Sequence, residues 1–298
     1  MPAIRRPGVT PRVGKRKKRQ TKSVWFRDRF ANPVTKRMKR PLLPERDAFG
    51  QALMDYLEGR GGEELIERSD GYLDRSAGAA TYFAQPNEEQ AAVADRASGR
   101  VLDVGCGAGR YALYLQAKGL EVVAIDASPL AVEVCRRRGL RDARVLTLDE
   151  VDRTLGQFDS VLMLGNNFGL MGSHHGARRS LRRLHQIVHP GGCILAETMD
   201  PYQSANPDHL SYHADNRAQG RMGGQIRMRV RYRKYKTPWF DYLFVSRGEL
   251  EEIVRDSGWR MQSVIARDGP NYVALLERET SRRASSAGGK RPTRGPQA

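Results

Sequence analysis

The segment Val101-Leu102-Asp103-Val104-Gly105-Cys106-Gly107-Ala108-Gly109-Arg110 constrains the fold more than any other stretch of this chain. An apolar run of strand length enters a glycine-rich bend and leaves into a segment with helical spacing at Tyr111, Leu113, Tyr114 and Leu115. Glycines permit a tight turn and let a ligand approach the main chain. A dinucleotide loop is the first comparison, and two details oppose it. Arg110 stands where the third glycine of that fingerprint belongs, and Asp103 puts a carboxylate where a pyrophosphate would have to sit. The same carboxylate suits a ligand that is positively charged and carries no phosphate.

The next strand, Glu121–Ile125, leads to Asp126, at the distance of one strand–helix–strand step from the first glycine. An acid there accepts hydrogen bonds from both hydroxyls of a ribose. A nucleoside bearing an ammonium and a sulfonium, S-adenosylmethionine, satisfies both acids.

The remaining pattern alternates strand and helix. Ser128-Pro129 opens a helix to about Arg138. Strands are predicted over 143–148, 158–164 and 193–197, with a helix over 177–188 stopped by Pro190-Gly191-Gly192. Ser246 and Glu249 form a capping box that opens a helix to about Asp256. A closing strand pair flanks Asp268-Gly269-Pro270. The fold class is therefore α/β: a Rossmann-like, doubly wound, mostly parallel sheet with an antiparallel last strand. A small strand insertion is expected at 201–245, from the alternation in 225–235 and 239–245. Residues 41–97 are expected to form a mostly helical lid, and 98–277 the ligand-binding domain.

Residues 101–110 resemble the first motif of class I S-adenosylmethionine-dependent methyltransferases, and Ala124-Ile125-Asp126-Ala127-Ser128 resembles the second. Phe158-Asp159-Ser160-Val161 is similar to their fourth strand, and His189-Pro190-Gly191-Gly192 to the turn before their fifth. The resemblance covers about residues 95–200. It implies methyl transfer from S-adenosylmethionine. Asp103, Gly105, Cys106, Gly107 and Gly109 would form the methionine-side loop, Asp126 would take the ribose, and Ala127 would pack on adenine. Asp149 would face the adenine amino group, with Glu150 and Asp152 as alternatives. Asn166 and Asn167, at the end of the fourth strand, either orient a polar acceptor or cap a turn. The family's Asn/Asp-Pro-Pro-Tyr signature is absent from that position, and Asp200-Pro201-Tyr202 follows the wrong strand. Tyr212 and His213 are further acceptor-side candidates, within an aromatic cluster that includes Tyr202, His209, Trp239 and Tyr242.

Charge decides what else the chain is expected to touch. The net charge is +17, but residues 1–40 carry 15 Lys/Arg against Asp28 alone, and residues 278–298 carry 6 against Glu279. The middle is near neutral. Both tails are expected to be disordered. A small-molecule acceptor is the favoured partner. The alternatives are an RNA methyltransferase that uses the tails, and a non-catalytic S-adenosylmethionine or nucleic-acid binder. Arg227, Arg229, Arg231 and Arg233 would share one strand face, read as the solvated side. Three scattered cysteines fit neither zinc nor disulfides, so no metal is expected and a reduced, cytoplasmic setting is. His174-His175 is read as exposed. No apolar run is long enough for a membrane span. Translation from Met38 is an alternative start. Asp126→Ala and Gly105→Asp are each expected to abolish cofactor binding with the fold retained, checked by calorimetry and circular dichroism.

Overall fold

The computed structural model describes residues 42–76, 78–267 and 269–280. Residues 1–41, with Met38, and 281–298, Ala77 and Asp268 lie outside the described residues; Arg278, read as the start of a disordered tail, instead ends the last strand and donates to Val188 O. The chain begins with helix α1 (Ala48–Leu57), strands β1 (Glu64–Arg68) and β2 (Leu73–Arg75), and helices α2 (Ala79–Phe83) and α3 (Glu88–Ala94). There follow β3 (Arg100–Val104), α4 (Arg110–Ala117), β4 (Glu121–Asp126), α5 (Pro129–Arg137), β5 (Ala143–Val145), β6 (Phe158–Met163), α6 (His174–Leu184) and β7 (Val188–Met199). The last part comprises α7 (Pro207–Ala218), β8 (Gln225–Tyr232), β9 (Tyr235–Lys236), β10 (Phe240–Leu243), α8 (Arg247–Val254), β11 (Trp259–Ala266) and β12 (Asn271–Arg278).

Seven strands form the main sheet in the order β11-β12-β7-β6-β3-β4-β5. β3 to β7 run parallel, whereas β12 is antiparallel to β7 and β11 to β12. This is the Rossmann-like arrangement with a reversed strand read from the sequence. Its central strands are apolar on both faces because helices cover both. Alternate residues go to opposite sides. Leu102, Val161 and Met163 join α6 and α8 through Leu181, Leu184 and Ile253. Val101 and Leu162 join α4 and α5 through Leu115 and Val132. Local signals start the helices where expected: the Ser128 side chain accepts from Ala131 N, and Ser246 with Glu249 forms its capping box.

Four expectations are corrected. The segment before β3 is not mostly helical: β1 and β2 join β8, β9 and β10 in a second, five-stranded sheet. Their sequence gives little strand signal, and β1 gains its order by pairing with β8, from Glu64↔Tyr232 to Arg68↔Met228. The insertion holds a full helix, α7, besides strands. Pro190-Gly191-Gly192 does not stop a helix but lies inside β7, where the pairing with β6 slips between Phe158 and Ser160. Arg233 falls beyond β8 with φ of 49°, so three arginines and not four share the strand face.

Phe158 is fully buried under the Arg100 guanidinium, 4.4 Å above its ring. Phe158→Ala is expected to cost about 3–5 kcal/mol, read as a lower denaturation midpoint with unchanged slope.

Candidate cofactor and acceptor site

The strand order reverses beside β3: the chain winds outward through β4 and β5 on one side and through β6 and β7 on the other. In open α/β sheets the crevice at such a point, outside the carboxyl ends of the strands, is where ligands bind. The glycine bend sits there. Gly105 N and Cys106 N both donate to Ile125 O, at 2.8 and 3.1 Å, which pins the bend to β4. Gly105 has φ of +73°, and a Cβ on it would lie 2.7 Å from Asn167 Nδ2 and Leu170 Cδ1. Backbone and space both require glycine at this position.

Asn167 holds the bend from above. Its Nδ2 donates to Val104 O at 2.9 Å and to Gly105 O at 2.8 Å. Gly107 N donates to Asp126 Oδ2 at 3.0 Å, and Ser128 N to Asp126 Oδ1 at 2.9 Å. Asp126 and the loop are thus one hydrogen-bonded unit. Cys106 packs beneath it, with Sγ 3.7 Å from that of Cys135, whose thiol donates to Gly107 O at 3.1 Å. The Cys135 thiol and burial push the Cys106 thiol well above its ordinary range. That is a packing environment and not one for a nucleophile.

Asp103 is 3 % exposed and enters no ion pair among the described residues. Burial, reinforced by the charge of Asp126, pushes its carboxyl up to about 7. Burial pushes Asp126 up to about 6, against the backbone N–H groups of Ser128 and Gly107 and with Asp47 adding to the rise. Asn166 adopts φ of 65°, and its buried Oδ1 has no hydrogen-bond partner. A desolvated acid beside the bare-backbone bend, and an unpaired amide oxygen next to the Asn167 that clamps it, are acceptors of the kind an ammonium donor requires. The residues present fit S-adenosylmethionine.

The other wall was not legible in the sequence. Asp47, fully buried, caps α1 through Gly50 N and also accepts from Ser128 Oγ at 2.7 Å, which locks α1 against α5. Phe49 and Tyr82, packed edge to face, lie over the loop: a Cβ on Gly107 would be 3.6 and 3.5 Å from them. Tyr242 seats its ring on Gly169 and donates from its hydroxyl to Asn166 O at 2.7 Å. Glu197, at the end of β7, accepts from Gly165 N at 2.6 Å. Glu64, on β1, is 1 % exposed. Of these, Tyr242 belongs to the aromatic cluster already noted in the sequence, and Asp47 left the signal of a capping residue before an apolar helix.

The remaining candidates are placed as follows. Ala127 is half-buried beside Asp126. Asp149 pairs with Arg179 at 3.2 Å, Glu150 closes a capping box with Thr147, and Asp152 accepts from Thr154 N. The Tyr212 hydroxyl meets Ser69 Oγ and accepts from Arg227 N, both at 3.2 Å. His213 is buried against the Tyr202 ring, and burial, with His209 and two arginines, pushes its imidazole down. His209 Nδ1 is 2.8 Å from Ser204 Oγ. His174 and His175 are exposed at the start of α6. No metal-binding cluster occurs among the described residues.

The raised carboxyl of Asp103 has a measurable consequence. Near pH 6 it is largely protonated in the free protein, and a cationic ligand binds its ionised form. Affinity for S-adenosylmethionine is therefore expected to rise by about tenfold between pH 6 and 8, with proton release on binding below pH 7. Calorimetry in buffers of differing ionisation enthalpy checks this. A flat profile with no proton release would remove Asp103 from the ammonium site.

Residues 101–192 match the family described as Methyltransferase domain. A methyltransferase from Streptomyces named for the N-terminus of cypemycin is 34 % identical over 115 residues, 37 % of this chain and 47 % of that one. An O-methyltransferase of ubiquinone biosynthesis from Methylocella silvestris is 33 % identical over 109 residues, 34 % and 40 % of the two chains. The chain thus spans less than half the length of these curated relatives. The likeness extends further in the crystal structure of a methyltransferase from Bacteroides fragilis in complex with S-adenosylhomocysteine. It is 31 % identical with a TM-score of 0.68, covering 81 % of this chain and 98 % of that one. With the acid-flanked glycine bend at the switch point, this establishes that the chain belongs to the S-adenosylmethionine-dependent methyltransferases.

Proposed function

We propose that the protein transfers a methyl group from S-adenosylmethionine to a small-molecule acceptor held between the carboxyl edge of the main sheet and the inner face of the small sheet. The carrying observation is the pair of desolvated acids, Asp103 and Asp126, on one glycine bend roofed by Phe49 and Tyr82. When bound, the cofactor supplies an electrophilic methyl on a sulfonium, and its neutral thioether leaves without an acid. Asp103 and Asn166 Oδ1 hold the methionine ammonium, Asp126 the ribose hydroxyls, and Ala127 one face of adenine. Asp149 faces the adenine amino group, with its Oδ1 accepting from Arg179. Asn167 acts on the loop and not on the acceptor, because its amide donates to Val104 O and Gly105 O. Tyr82 and Phe49 exclude water, so that orientation in a dry crevice does most of the work.

The outward arginines of the small sheet do not favour a phosphate-binding face. Arg227 pairs with Asp241, and Arg229 and Arg231 with Glu67. Incubation of the protein with methyl-labelled cofactor and either a low-molecular-weight metabolite extract or total RNA tests the proposal. Label is expected in the metabolite fraction. Label in RNA alone, lost on deletion of residues 1–40, would replace this reading with a nucleic-acid acceptor, and bound cofactor with no transfer would leave a binding protein.

A further inference from the structure

Resting on that reading, we infer that Asp47 is a positioning residue for the ribose end of the cofactor: through Ser128 it holds Asp126, and it couples cofactor binding to the seating of helix α1. A chain of hydrogen bonds crosses four elements. Gly50 N, in the first turn of α1, donates to Asp47 Oδ1 at 2.9 Å. Ser128 Oγ, at the start of α5, donates to Asp47 Oδ2 at 2.7 Å, and Leu130 N donates to the same oxygen at 3.2 Å. Ser128 N then donates to Asp126 Oδ1 at the end of β4, and Gly107 N of the bend donates to Asp126 Oδ2. Asp47 and Ser128 are 0 % and 3 % exposed, so water does not compete for these bonds. Ser128 Oγ also accepts from Ala131 N, which leaves its own proton for Asp47.

Capping alone does not account for an acid here. An N-cap needs one acceptor and no charge, and serine or asparagine serves as well. Burial already raises Asp126, and the charge of Asp47 adds to that rise, a penalty that a neutral cap would avoid. What the acid supplies is a second acceptor oxygen for the two donors of α5; an asparagine would set an NH2 group against both. Space gives an independent observation. A Cβ on Gly50 would stand 2.4 Å from Ser128 Oγ and 2.6 Å from Leu130 Cβ, although the φ of Gly50 is not left-handed. Glycine serves close approach at this position: α1 rests directly on the start of α5.

Helix α1 carries the contact outward. Leu53 shares an apolar cluster with Ala131 and Val134 of α5 and with Ala108 of the bend. Phe49 lies over Gly107, and Ala48 and Ala52 pack on Val230 and Tyr232 of the small sheet. A ribose held by Asp126 therefore steadies the start of α5, and with it the helix that bears the roof and meets the small sheet. The coupling is reciprocal: displacing α1 loosens the ribose site by the factor that the cofactor gives to the seating of α1.

The test uses the full chain with S-adenosylhomocysteine. Calorimetry reads affinity, and mass spectrometry reads hydrogen exchange of the α1 amides. In the wild type, saturation with S-adenosylhomocysteine should slow exchange in α1 by about fivefold or more. Asp47→Asn keeps an oxygen for Gly50 N but breaks the bridge to α5. It should weaken S-adenosylhomocysteine by a similar factor, and the slowing in α1 should shrink while that over 101–110 persists. Ser128→Ala should also weaken binding, and the double variant should bind no more weakly than the weaker single one, because both remove the same bond. Gly50→Ala, which wedges α1 from α5 and leaves every acid in place, should weaken binding too. Wild-type affinity in Asp47→Asn, additive losses in the double variant, or no ligand-induced slowing in α1 of the wild type would overturn the assignment. The last of these needs no variant to fold. Failure of S-adenosylhomocysteine to bind the wild type would instead refute the methyltransferase reading.

Discussion

The structure is organised around carboxylates that are buried before any cation is present to meet them. Removing an ionised acid from water is tolerated only with a counter-charge or several hydrogen bonds. Asp126 obtains the bonds, from Gly107 N and Ser128 N. Asp103 has a single backbone contact from α4 and rises to about 7. The free crevice is therefore a place of stored electrostatic cost. A ligand that brings positive charge, without phosphate, is the one that relieves it.

That cost is tolerable because the bend is over-determined. β4 holds it through Ile125 O, Asn167 holds the carbonyls of Val104 and Gly105, and Cys135 holds the carbonyl of Gly107. The clamp comes from the end of β6, the element next to β3 in the sheet but some 60 residues further along the chain. Cofactor loop and acceptor wall are linked at the same point, since Asn166 O accepts from Tyr242 of the small sheet. A shift of the small sheet is thereby felt at the loop, through two adjacent residues and without any long pathway.

Most of the main sheet was legible because its signals are local. Strand runs such as 122–125 are apolar throughout, Ser128-Pro129 starts α5, and the glycines of the bend announce themselves. The small sheet was not legible, because Glu-Leu-Ile-Glu-Arg over 64–68 alternates weakly and acquires its partner 160 residues later. The Pro190-Gly191-Gly192 stretch misled for a related reason: its proline and glycines mark an irregular strand start as readily as a helix stop. At the site, the acids at strand ends were found by spacing. Asn167 was found by position, with its role left open between acceptor and turn; the hydrogen bonds assign it to the loop. Glu64 and Tyr82 carry no motif; burial sets Glu64 apart, and its place over Gly107 sets Tyr82 apart.

The acids of this chain differ in how their charge is met. Asp142 and Asp149, on the surface, each meet an arginine within 4 Å, and the half-buried Glu67 meets two. Exposed pairs of this kind contribute little to stability, roughly 0–1 kcal/mol. Asp103 on β3 and Glu197 on β7 are buried where matching would matter most, and neither enters an ion pair among the described residues. In a chain with 51 Lys/Arg residues, shortage of cations is no explanation. Asp103, beside the glycine bend, is the clearest case, and it is the pattern of a site whose counter-charge arrives with its ligand.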